Sequence, residues 1–599
     1  MSSLVSRRDL DFQLFEWLEA GRLAGRAAFA DHAPDTFAAA IDTATRLAER
    51  HFAPHNRKAD LEEPRLENGR VVTVPEAKTA LDAFAAAGFF AMEVPVDDGG
   101  MGLPHLVALA CFGLFDAANI ATASYPLLTI AAANLIERFG SHDQKQRYLP
   151  HLRAGRFFGT MALTEPQAGS SLGDVRTTAT PAADGTWRLK GAKIFISGGE
   201  HELADNIVHL VLCRIAGAPA GPRGLSLMLV SRFAVGDDGA LGQRNDVALA
   251  GLIHKMGWRG TTSTMLNFGE GDACVAEIVG APGQGLAQMF QMMNEARIGV
   301  GLGAVMLGYA GYLQALAYAK GRPQGRPAEA KDATRPQVPI VEHADVRRML
   351  LAQKAYVEGG LALCLYAGRL VDDARTHPDA EERARAHRLL DMLTPIVKAW
   401  PAEWCLEANK LAIQVHGGYG YTREYPVEQL YRDNRLNPIH EGTNGIQALD
   451  LLGRKAMLED GRLLADLVAG IRATADAAAG SDALAGLAGP LAAAVDRLES
   501  ATARVRTVLA AGRATAALAN ATPYLDMAGH VVVAWLWLDQ ALVAERGLAA
   551  ATADDHDFYQ GKLAACRWFF RWELPKAAHW ASLVEDMDMT VLDTDPGWL

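Results

Sequence analysis

A run of short alternating segments in the middle of this chain separates two long helical regions, and this change of pattern restricts the possible folds most strongly. Between about residues 157 and 281, segments such as 193–197, 207–213 and 225–230 are short and apolar, as strands are, and the first two are rich in β-branched or aromatic residues. On either side, apolar residues recur with the three- and four-residue spacing of helices. Helices, a small β domain and helices again predict an α+β fold in separate layers.

The same pattern divides the 599 residues into five predicted domains. Their limits are 1–35 for an N-terminal helical arm, 36–155 for a helical domain, 156–281 for the β domain, 282–458 for a helical bundle and 459–599 for an additional helical domain. Within the bundle region, the basic and proline-rich residues 321–339 predict a surface loop. The last domain contains an aromatic cluster, residues 558–580, that we expect to pack against the body of the protein.

Charge and cysteine content exclude several classes of function. The net charge of −12 and the pI near 5.8 oppose attraction to phosphate backbones, so we expect no nucleic-acid partner. Six cysteines lie far apart without a C-x-x-C pair, which predicts buried thiols in a reducing compartment and no metal site. The first twenty residues include Asp9, Asp11, Glu16 and Glu19 and lack the apolar core of a secretory signal, so we expect a cytoplasmic protein.

Two uncharged stretches, residues 117–136 and 298–319, are long enough to be weighed as membrane spans. Buried helices of a large soluble protein have the same composition, and we expect no integral membrane segment. The second stretch also contains Gly299-Val300-Gly301-Leu302-Gly303-Ala304, which matches the G-x-G-x-x-A dinucleotide motif. No predicted strand precedes it, so close packing of helices is the better explanation.

A single carboxylate, Glu441, stands in the run Asn437-Pro438-Ile439-His440-Glu441-Gly442-Thr443-Asn444-Gly445-Ile446-Gln447. The proline and the glycines of this run predict a loop, and the apolar spacing beyond it predicts a helix. A carboxylate in such a turn can reach into a pocket. Taken alone, the spacing fits an ordinary exposed glutamate at a helix start better, because the helix dipole favours negative charge there.

Three further segments combine small residues with polar or aromatic ones. Residues 161–171 join a strand-like start to a loop whose backbone N–H groups and hydroxyls suit a planar polar ring or a phosphate. Residues 191–199 place Phe195 and Ser197 two apart, hence on one face of a strand. Residues 414–421 contain closely spaced glycines that let the backbone approach a ligand. Each segment alone is also compatible with a plain hairpin or turn.

These segments, in this order and together with residues 98–103 and 431–433, resemble the acyl-CoA dehydrogenases, which are flavin enzymes. The resemblance covers about residues 36–455 and implies a helical domain, a small β-barrel or sandwich domain and a four-helix bundle. The insertion and the additional C-terminal helical domain look like a larger bacterial subgroup, which includes broad-range fatty acyl-CoA and 3-methylmercaptopropionyl-CoA dehydrogenases. Ser171, His440 and Gly445 depart from the family, where Asp, Tyr and Gln are common.

The resemblance implies roles for the matching residues. Glu441 is the implied catalytic base, and a water-poor pocket is expected to raise the pKa of its carboxyl. The residues implied in FAD binding are Met161, Leu163, Thr164, Gly169, Ser170, Phe195, Ile196, Ser197, Arg322, Gln414, Gly417, Gly418, Thr443 and Gly445. The residues implied in acyl-CoA binding are Ser170, Asn294, Arg297 and Gly442. Among the residues implied in FAD binding, Arg322 and the turn at residues 414–418 match positions through which two subunits of the family bind one FAD.

The implied activity is the α,β-dehydrogenation of an acyl-CoA thioester to trans-2-enoyl-CoA with FAD as cofactor. The implied partners are an electron-transfer flavoprotein that receives the electrons and further copies of the chain in a homodimer or homotetramer. One alternative is an acyl-CoA oxidase that uses O₂, and another is a DNA-binding or regulatory flavoprotein of the same fold. Residues 471–599 contain 10 Lys or Arg and 16 Asp or Glu, which disfavours DNA binding.

Overall fold

Within the described residues, ten of the twelve strands lie between residues 157 and 279, as the alternating pattern predicts, and the other two form a short hairpin at residues 65–72, inside the predicted helical domain. A computed structural model describes residues 4–329, 332 and 334–599, except for the side chains of residues 290–294 and of Asp554. Residues 35–296 form one compact unit, which contains the strands, and residues 1–34 with 297–599 form a second, helical unit. The predicted α+β class is confirmed. The five predicted domain limits are finer than this division and stay a prediction.

Helices and strands have the following limits. The α-helices are α1 (Arg7–Asp11), α2 (Pro34–Leu47), α3 (Ala53–Leu61), α4 (Pro75–Ala86), α5 (His105–Phe139), α6 (His142–Arg153), α7 (Gly285–Gly321), α8 (Ala344–Thr376), α9 (Ala380–His416), α10 (Val427–Asn434), α11 (Asn444–Gly453), α12 (Arg462–Ala479), α13 (Ala485–Ala510), α14 (Ala514–Leu518), α15 (Ala521–Ala549), α16 (Ala553–Trp572), α17 (Lys576–Glu585) and α18 (Thr590–Asp593). The β-strands are β1 (Arg65–Glu67), β2 (Arg70–Val72), β3 (Phe157–Ala162), β4 (Thr178–Pro181), β5 (Trp187–Ser197), β6 (Asn206–Ile215), β7 (Leu225–Ser231), β8 (Phe233–Val235), β9 (Leu241–Arg244), β10 (Val247–Leu252), β11 (Ser263–Phe268) and β12 (Val275–Val279).

The main sheet of the first unit is mostly antiparallel. Its strand order is β10-β11-β5-β12-β7-β6-β3, and β4 pairs with both β5 and β6. The pair β3–β6 is parallel, whereas β6–β7, β7–β12 and β5–β11 are antiparallel. The central strand β7 is buried along its whole length and β6 along most of it, which explains why the sequence reads there as nearly continuous apolar runs.

Helices α5 and α6 cover one face of this sheet. Ile136, Tyr148 and Leu152 of the helices pack with Phe157 and Leu210 of the strands in one buried cluster. A second buried cluster consists mainly of side chains from the strands, including β5, β6, β7 and β11. The sheet is therefore packed with apolar side chains in two separate clusters, which gives the loops at its strand ends a rigid support.

Helices α7, α8 and α9 form the long elements of the second unit. A Cβ atom at Gly301 would collide with the carbonyl oxygen of Val397, and one at Gly308 would lie 2.8 Å from Cys405 Cβ. Only glycine allows so close an approach of α7 to α9, so the helix-packing explanation of the G-x-G-x-x-A run is confirmed. After α7, the described residues of the insertion 321–339 form a loop closed by a bridge between Pro323 and Pro339, as predicted.

Four charged side chains hold the N-terminal arm in the second unit. Lys562 of α16 donates to Asp9 Oδ1 at 2.8 Å and to Glu358 Oε2 at 3.1 Å, and Lys354 also pairs with Glu358. Tyr309 donates to Asp9 Oδ2 at 3.0 Å. Asp9, Glu358 and Lys562 are at most 2% exposed, so this ion cluster (Asp9, Lys354, Glu358, Lys562) joins the arm, α8 and α16 away from water.

The aromatic cluster of the last domain is confirmed as part of this packing. The ring of Trp568 lies 6.2 Å from Tyr356 of α8, and the ring of Phe569 lies 6.3 Å from Trp400 of α9, between centroids. The predicted buried thiols are also confirmed, because all six cysteines are free and buried. The C-terminal helices thus pack on the bundle through aromatic rings.

Three helices are long and apolar enough to cross a membrane by length and composition. They are α5, residues 295–321 of α7, and α15, and their most apolar windows are 100%, 78% and 83% buried inside the protein, respectively. Helices that face lipid expose such windows, so this burial favours the interpretation as core helices.

Replacing Lys562 with methionine is expected to lower the free energy of unfolding of the helical unit by about 3–5 kcal/mol, because the buried Asp9 loses its paired cation and Glu358 keeps only Lys354. Lys410→Met is the matched control, since Lys410 pairs with Glu407 at 3.0 Å with 65% of its side chain exposed. Such a pair contributes about 0–1 kcal/mol. Urea unfolding followed by tryptophan fluorescence measures both variants. Equal losses would contradict a stabilising role for the ion cluster.

Candidate active site

Glu441 has a backbone conformation that residues other than glycine rarely adopt. It lies in the turn between α10 and α11, and its φ of +51° falls in the left-handed region. Such a conformation costs about 1–3 kcal/mol, and residues that keep it are often found at functional sites. The next residue, Gly442, is also left-handed, with φ +84°. The helix predicted after the turn is confirmed as α11, which Thr443 caps by accepting from the N–H of Ile446.

A chain of buried amides fastens this turn to the helices. Asn434 Nδ2 donates to Ala304 O at 3.0 Å and to Asn409 Oδ1 at 2.6 Å. Asn437 Nδ2 donates to Asn434 Oδ1 at 2.9 Å, and the His440 ring lies 3.0 Å from Asn437 Oδ1. The three asparagines are fully buried, so the interior of the bundle sets the position of the turn. His440, which departs from the family pattern, takes part in this chain.

The charge state of Glu441 reflects two opposing influences. Its side chain is open to solvent on one side, but the surrounding protein desolvates the carboxyl and raises its pKa. Two cations, Lys398 and Arg297, oppose that shift by stabilising the ionised form. The raised pKa agrees with the expectation from the sequence.

Lys398 of α9 is a fully buried cation next to this turn. Its Nζ donates to Asn444 Oδ1 at 3.4 Å, and Asn444 Nδ2 donates to Glu403 Oε2 at 3.3 Å. Desolvation lowers the pKa of Lys398 to about 7, with attraction to Glu441 acting against the shift and repulsion from Arg297 adding to it. Lys398 is therefore poised between charged and neutral near neutral pH.

Arg297 is buried and already paired. Its Nη1 donates to Asp450 Oδ2 at 2.8 Å, and within the described residues its Nε has no hydrogen-bond partner. Buried polar groups normally have hydrogen-bond partners, so this nitrogen is a candidate contact for a ligand or an ordered water. Asn294, which the family resemblance also implies in acyl-CoA binding, lies outside the described side chains.

In the first unit, a buried ion pair supports the loop at residues 161–171. Lys193 Nζ donates to Glu165 Oε1 at 2.9 Å and to Leu163 O at 2.8 Å. The N–H groups of Arg176 and Thr177 and the Thr177 hydroxyl also donate to Glu165. Desolvation alone would raise the pKa of Glu165, but Lys193 and these hydrogen bonds outweigh it and lower the pKa to about 2.

The rest of this loop is open. Gly169 and Ser170 are exposed, Met161, Leu163 and Thr164 are half-buried, and Glu165 and Ala168 close the turn through reciprocal backbone hydrogen bonds. Small exposed residues on a braced turn leave backbone and hydroxyl groups free for a ligand.

Phe195 lies at a bulge in β5. Lys193 pairs with Leu266 and Ile196 with Thr264, so two residues of β5 oppose one of β11. Phe195 is left-handed, with φ +60°, and is 61% exposed, whereas Ile196 is buried and Ser197 is half-buried. Regular alternation does not hold at a bulge. The bulge therefore turns the ring of Phe195 toward solvent, which the two-residue alternation of a regular strand does not predict.

A cavity of about 490 Å³ in the second unit brings together three of the predicted residues, Arg322, Gly417 and Gly418. Tyr318, His416 and Tyr419 also line it. The rings of Tyr318 and His416 stack at 4.4 Å, and the Arg322 guanidinium lies 6.0 Å from the Tyr419 ring. Gln414 is exposed on the same turn but does not line the cavity.

Several residues that the sequence analysis did not assign belong to these groups. They are Lys193, Tyr318, Lys398, His416 and Tyr419. Lys193 and Lys398 each stand alone in an apolar run, residues 193–196 and 395–402. A single cation in a run that must be buried was the signal that could have identified them.

Four family models match successive parts of the chain. Their descriptions are "Acyl-CoA dehydrogenase, N-terminal domain" for residues 35–156, "Acyl-CoA dehydrogenase, middle domain" for 160–270, "Acyl-CoA dehydrogenase, C-terminal domain" for 283–457 and "Acetyl-CoA dehydrogenase C-terminal like" for 467–595. Together they span most of the chain.

Individual relatives agree with these models over nearly the whole length. The chain is 39% identical to the 3-methylmercaptopropionyl-CoA dehydrogenase of Ruegeria pomeroyi, over 93% of this chain and 94% of the relative. It is 34% identical to the broad-specificity linear acyl-CoA dehydrogenase FadE5 of Mycobacterium tuberculosis, over 98% of each. A crystal structure of a Bacillus anthracis acyl-CoA dehydrogenase complexed with FAD shares the fold, with a TM-score of 0.71, 21% identity and coverage of 94% and 89%.

Replacing Lys193 with methionine is expected to cost about 3–5 kcal/mol of stability at pH 7, because Glu165 is left as a buried charge without its cation. The wild-type contribution of Glu165 is complete above pH 4.5, the ordinary value, and is lost as the pH falls toward its folded pKa of about 2. In the variant, only the hydrogen bonds from Arg176 and Thr177 oppose desolvation, so the pKa of Glu165 rises and the carboxyl protonates at higher pH. The difference in unfolding free energy between the wild type and Lys193→Met should therefore be smaller at pH 4 than at pH 7.

Thermal unfolding at both pH values measures this difference. Lys190→Met is the matched control on the same strand, since Lys190 pairs with Asp272 at 2.6 Å with 64% of its side chain exposed. It should lose little stability at pH 7, because solvent screens an exposed ion pair. A Lys193→Met loss that is as small, or that does not depend on pH, would contradict the assigned role of the pair.

Proposed function

Because the chain belongs to the acyl-CoA dehydrogenase family of FAD-dependent oxidoreductases, we propose that it converts an acyl-CoA thioester to trans-2-enoyl-CoA. The reaction removes a proton from the α carbon and a hydride from the β carbon. Glu441 carries the proposal. It is a carboxylate with a raised pKa, held in a strained turn and influenced by two buried cations.

Glu441 acts as the base in this proposal. A raised pKa brings a carboxylate closer to the working pH, where general-base catalysis is most effective. Lys398 and Arg297 oppose that rise and favour the ionised form, which can accept a proton. Once Glu441 is protonated, its attraction for Lys398 disappears, and Lys398 then holds its own proton less tightly.

The backbone of the same residue is proposed to stabilise the reacting thioester. Among the described residues, the N–H of Glu441 donates no backbone hydrogen bond. Negative charge develops on the thioester oxygen as the α-proton leaves, and a preorganised N–H donor lowers the energy of that state. Glu441 would then provide both the base and one oxyanion donor.

FAD, when bound, supplies the acceptor for the β-hydride. The residues proposed to hold it on the first unit are Met161, Leu163, Thr164, Gly169, Ser170, Phe195, Ile196 and Ser197. The exposed ring of Phe195 suits the face of a flat heterocycle, and the open turn at residues 169–170 offers hydrogen-bond donors. Thr443 and Gly445, at the N-terminus of α11, are proposed as further contacts.

The acyl-CoA is proposed to contact Ser170, Asn294, Arg297 and Gly442. The supporting observation is the buried Arg297 Nε, which has no partner within the described residues. The named relatives act on different acyl groups, one on 3-methylmercaptopropionyl-CoA and one on a broad range of linear acyl-CoAs. Flavin bleaching with acyl-CoAs of graded length would therefore identify the acyl group.

We propose an electron-transfer flavoprotein as the electron acceptor and the cytoplasm as the location. The relatives are named dehydrogenases, which favours a protein acceptor over O₂. The acidic C-terminal region opposes the alternative of a DNA-binding flavoprotein.

Glu441→Gln should retain the fold and FAD, since the two side chains have nearly the same shape. It should slow flavin reduction by acyl-CoA about 10²–10⁴-fold, because a positioned base is lost. Rapid mixing, with bleaching of the flavin absorbance as the signal, measures this rate. Glu407→Gln, at a half-buried glutamate of α9 that pairs with Lys410, is the control and should reduce at the wild-type rate. Near wild-type bleaching in Glu441→Gln would remove Glu441 from the mechanism.

The cavity lined by Arg322, Gly417 and Gly418 is proposed to receive part of the FAD of a second subunit, so we expect a homodimer or homotetramer. Arg322→Met should release FAD on dilution, whereas Arg326→Met, on the same loop but outside the cavity, should not. Light scattering and flavin absorbance follow assembly and FAD content. A monomer that retains one FAD per chain would contradict this assignment.

A further inference from the structure

Gln447 fills the inner side of the turn that carries Glu441. It lies on the first turn of α11 and is fully buried. Its Nε2 donates to the carbonyl oxygen of Glu441 at 3.2 Å and to that of Gly442 at 3.4 Å. Both acceptors belong to the two left-handed residues of the turn, so one side-chain amide links α11 to the strained backbone.

The glycine at position 442 is explained by the same contact. A Cβ atom there would lie 2.6 Å from Gln447 Nε2. Gly442 is also left-handed, and this conformation disfavours any side chain. The turn and the amide therefore depend on each other, because Gln447 can approach the carbonyls only where position 442 has no side chain.

The amide also sets where the Glu441 side chain begins. The two carbonyls that accept from Gln447 fix the peptide planes on the C-terminal side of Glu441. Those planes, together with φ of +51°, determine the direction in which the Cα–Cβ bond leaves the backbone. Displacement of a reacting group by about 1 Å is enough to slow a reaction about 10²-fold.

We propose that Gln447 is a positioning residue that holds Glu441 in its left-handed conformation and so aims the carboxylate at the α-proton. The proposal rests on the proposed role of Glu441 as the base. Gln447 itself touches neither the proton nor the acceptor in this scheme, and it acts only through the backbone of Glu441 and Gly442.

Two other glutamines provide matched controls for this role. Gln353 in α8 and Gln540 in α15 are equally buried, and their Nε2 atoms also donate to backbone carbonyls, of Met349 at 3.1 Å and of Leu536 at 3.2 Å. Like Gln447, each has an Oε1 without a partner in the described part of the chain. Their hydrogen bonds stay within their own helices, so a Gln→Met change there measures only the cost of altering a buried amide.

The test compares Gln447→Met, Gln353→Met and Gln540→Met in the FAD-loaded, full-length enzyme. Gln447→Met should keep FAD and slow flavin reduction by acyl-CoA about 10–100-fold at saturating substrate, with little change in KM. The primary isotope effect with α-deuterated acyl-CoA should rise, because proton removal becomes more rate-limiting. The two controls should match its loss of thermal stability without changing rate or isotope effect.

A second variant, Gln447→Glu, tests the proposal if Gln447→Met folds poorly. Burial favours the neutral form of a glutamic acid, whose O–H can donate to the same carbonyls. Gln447→Glu should therefore keep more activity relative to wild type at pH 6 than at pH 8. Gln353→Glu introduces an equally buried carboxyl away from the turn, and its activity relative to wild type should not depend on pH in this way.

Three results would overturn the proposal. These are a wild-type rate and isotope effect in Gln447→Met, an equal slowing in all three methionine variants, or a crystal structure of Gln447→Met in which the φ of Glu441 stays near +51°. The base itself is tested separately. If Glu441→Gln is inactive while Gln447→Met reduces normally, only the positioning role fails; if Glu441→Gln is active, the proposed function fails first.

Discussion

Burial of the ion cluster of Asp9, Lys354, Glu358 and Lys562 is the constraint on which the helical unit depends. Charges removed from water must find partners of opposite sign with good geometry, or the desolvation penalty is not recovered. The cluster meets this requirement only when the N-terminal arm, α8 and α16 are all in place, with Tyr309 and Gln13 supplying further hydrogen bonds to Asp9. Segments far apart in the chain are thereby held in one arrangement, which apolar packing alone specifies less precisely.

Within this unit, polar groups rather than apolar ones position the turn of Glu441. The buried asparagines reach it from α9 and α10, and Gln447 reaches it from α11. A strained left-handed residue persists only when its surroundings over-determine it. These hydrogen bonds therefore offset the cost of the strained backbone. The carboxylate is held in place before any substrate binds.

The charges near this turn follow the same logic of compensation. Arg297 has a fixed partner in Asp450, whereas the fully buried Lys398 is attracted mainly by Glu441. A base that keeps some charge yet has a raised pKa needs both desolvation and nearby cations.

In the other unit, Glu165 and Lys193 form a closed pair and play a different part. They brace an open loop and leave its small residues and the neighbouring Phe195 free for a ligand.

The sequence by itself determined the kinds of element, the α+β class, the family and the turn around Glu441, because helical period, alternation and turn residues are local properties of the chain. It did not reveal the bulge that turns Phe195 outward, the partners of Lys193 and Lys398, or the amide that fastens Glu441. Lys193 and Glu165 are 28 residues apart, and even Gln447, six residues from Glu441, reaches its carbonyl only because the backbone between them is left-handed. Contacts of this kind depend on directions in space, which residue spacing along the chain does not encode, and only the tertiary structure decided them.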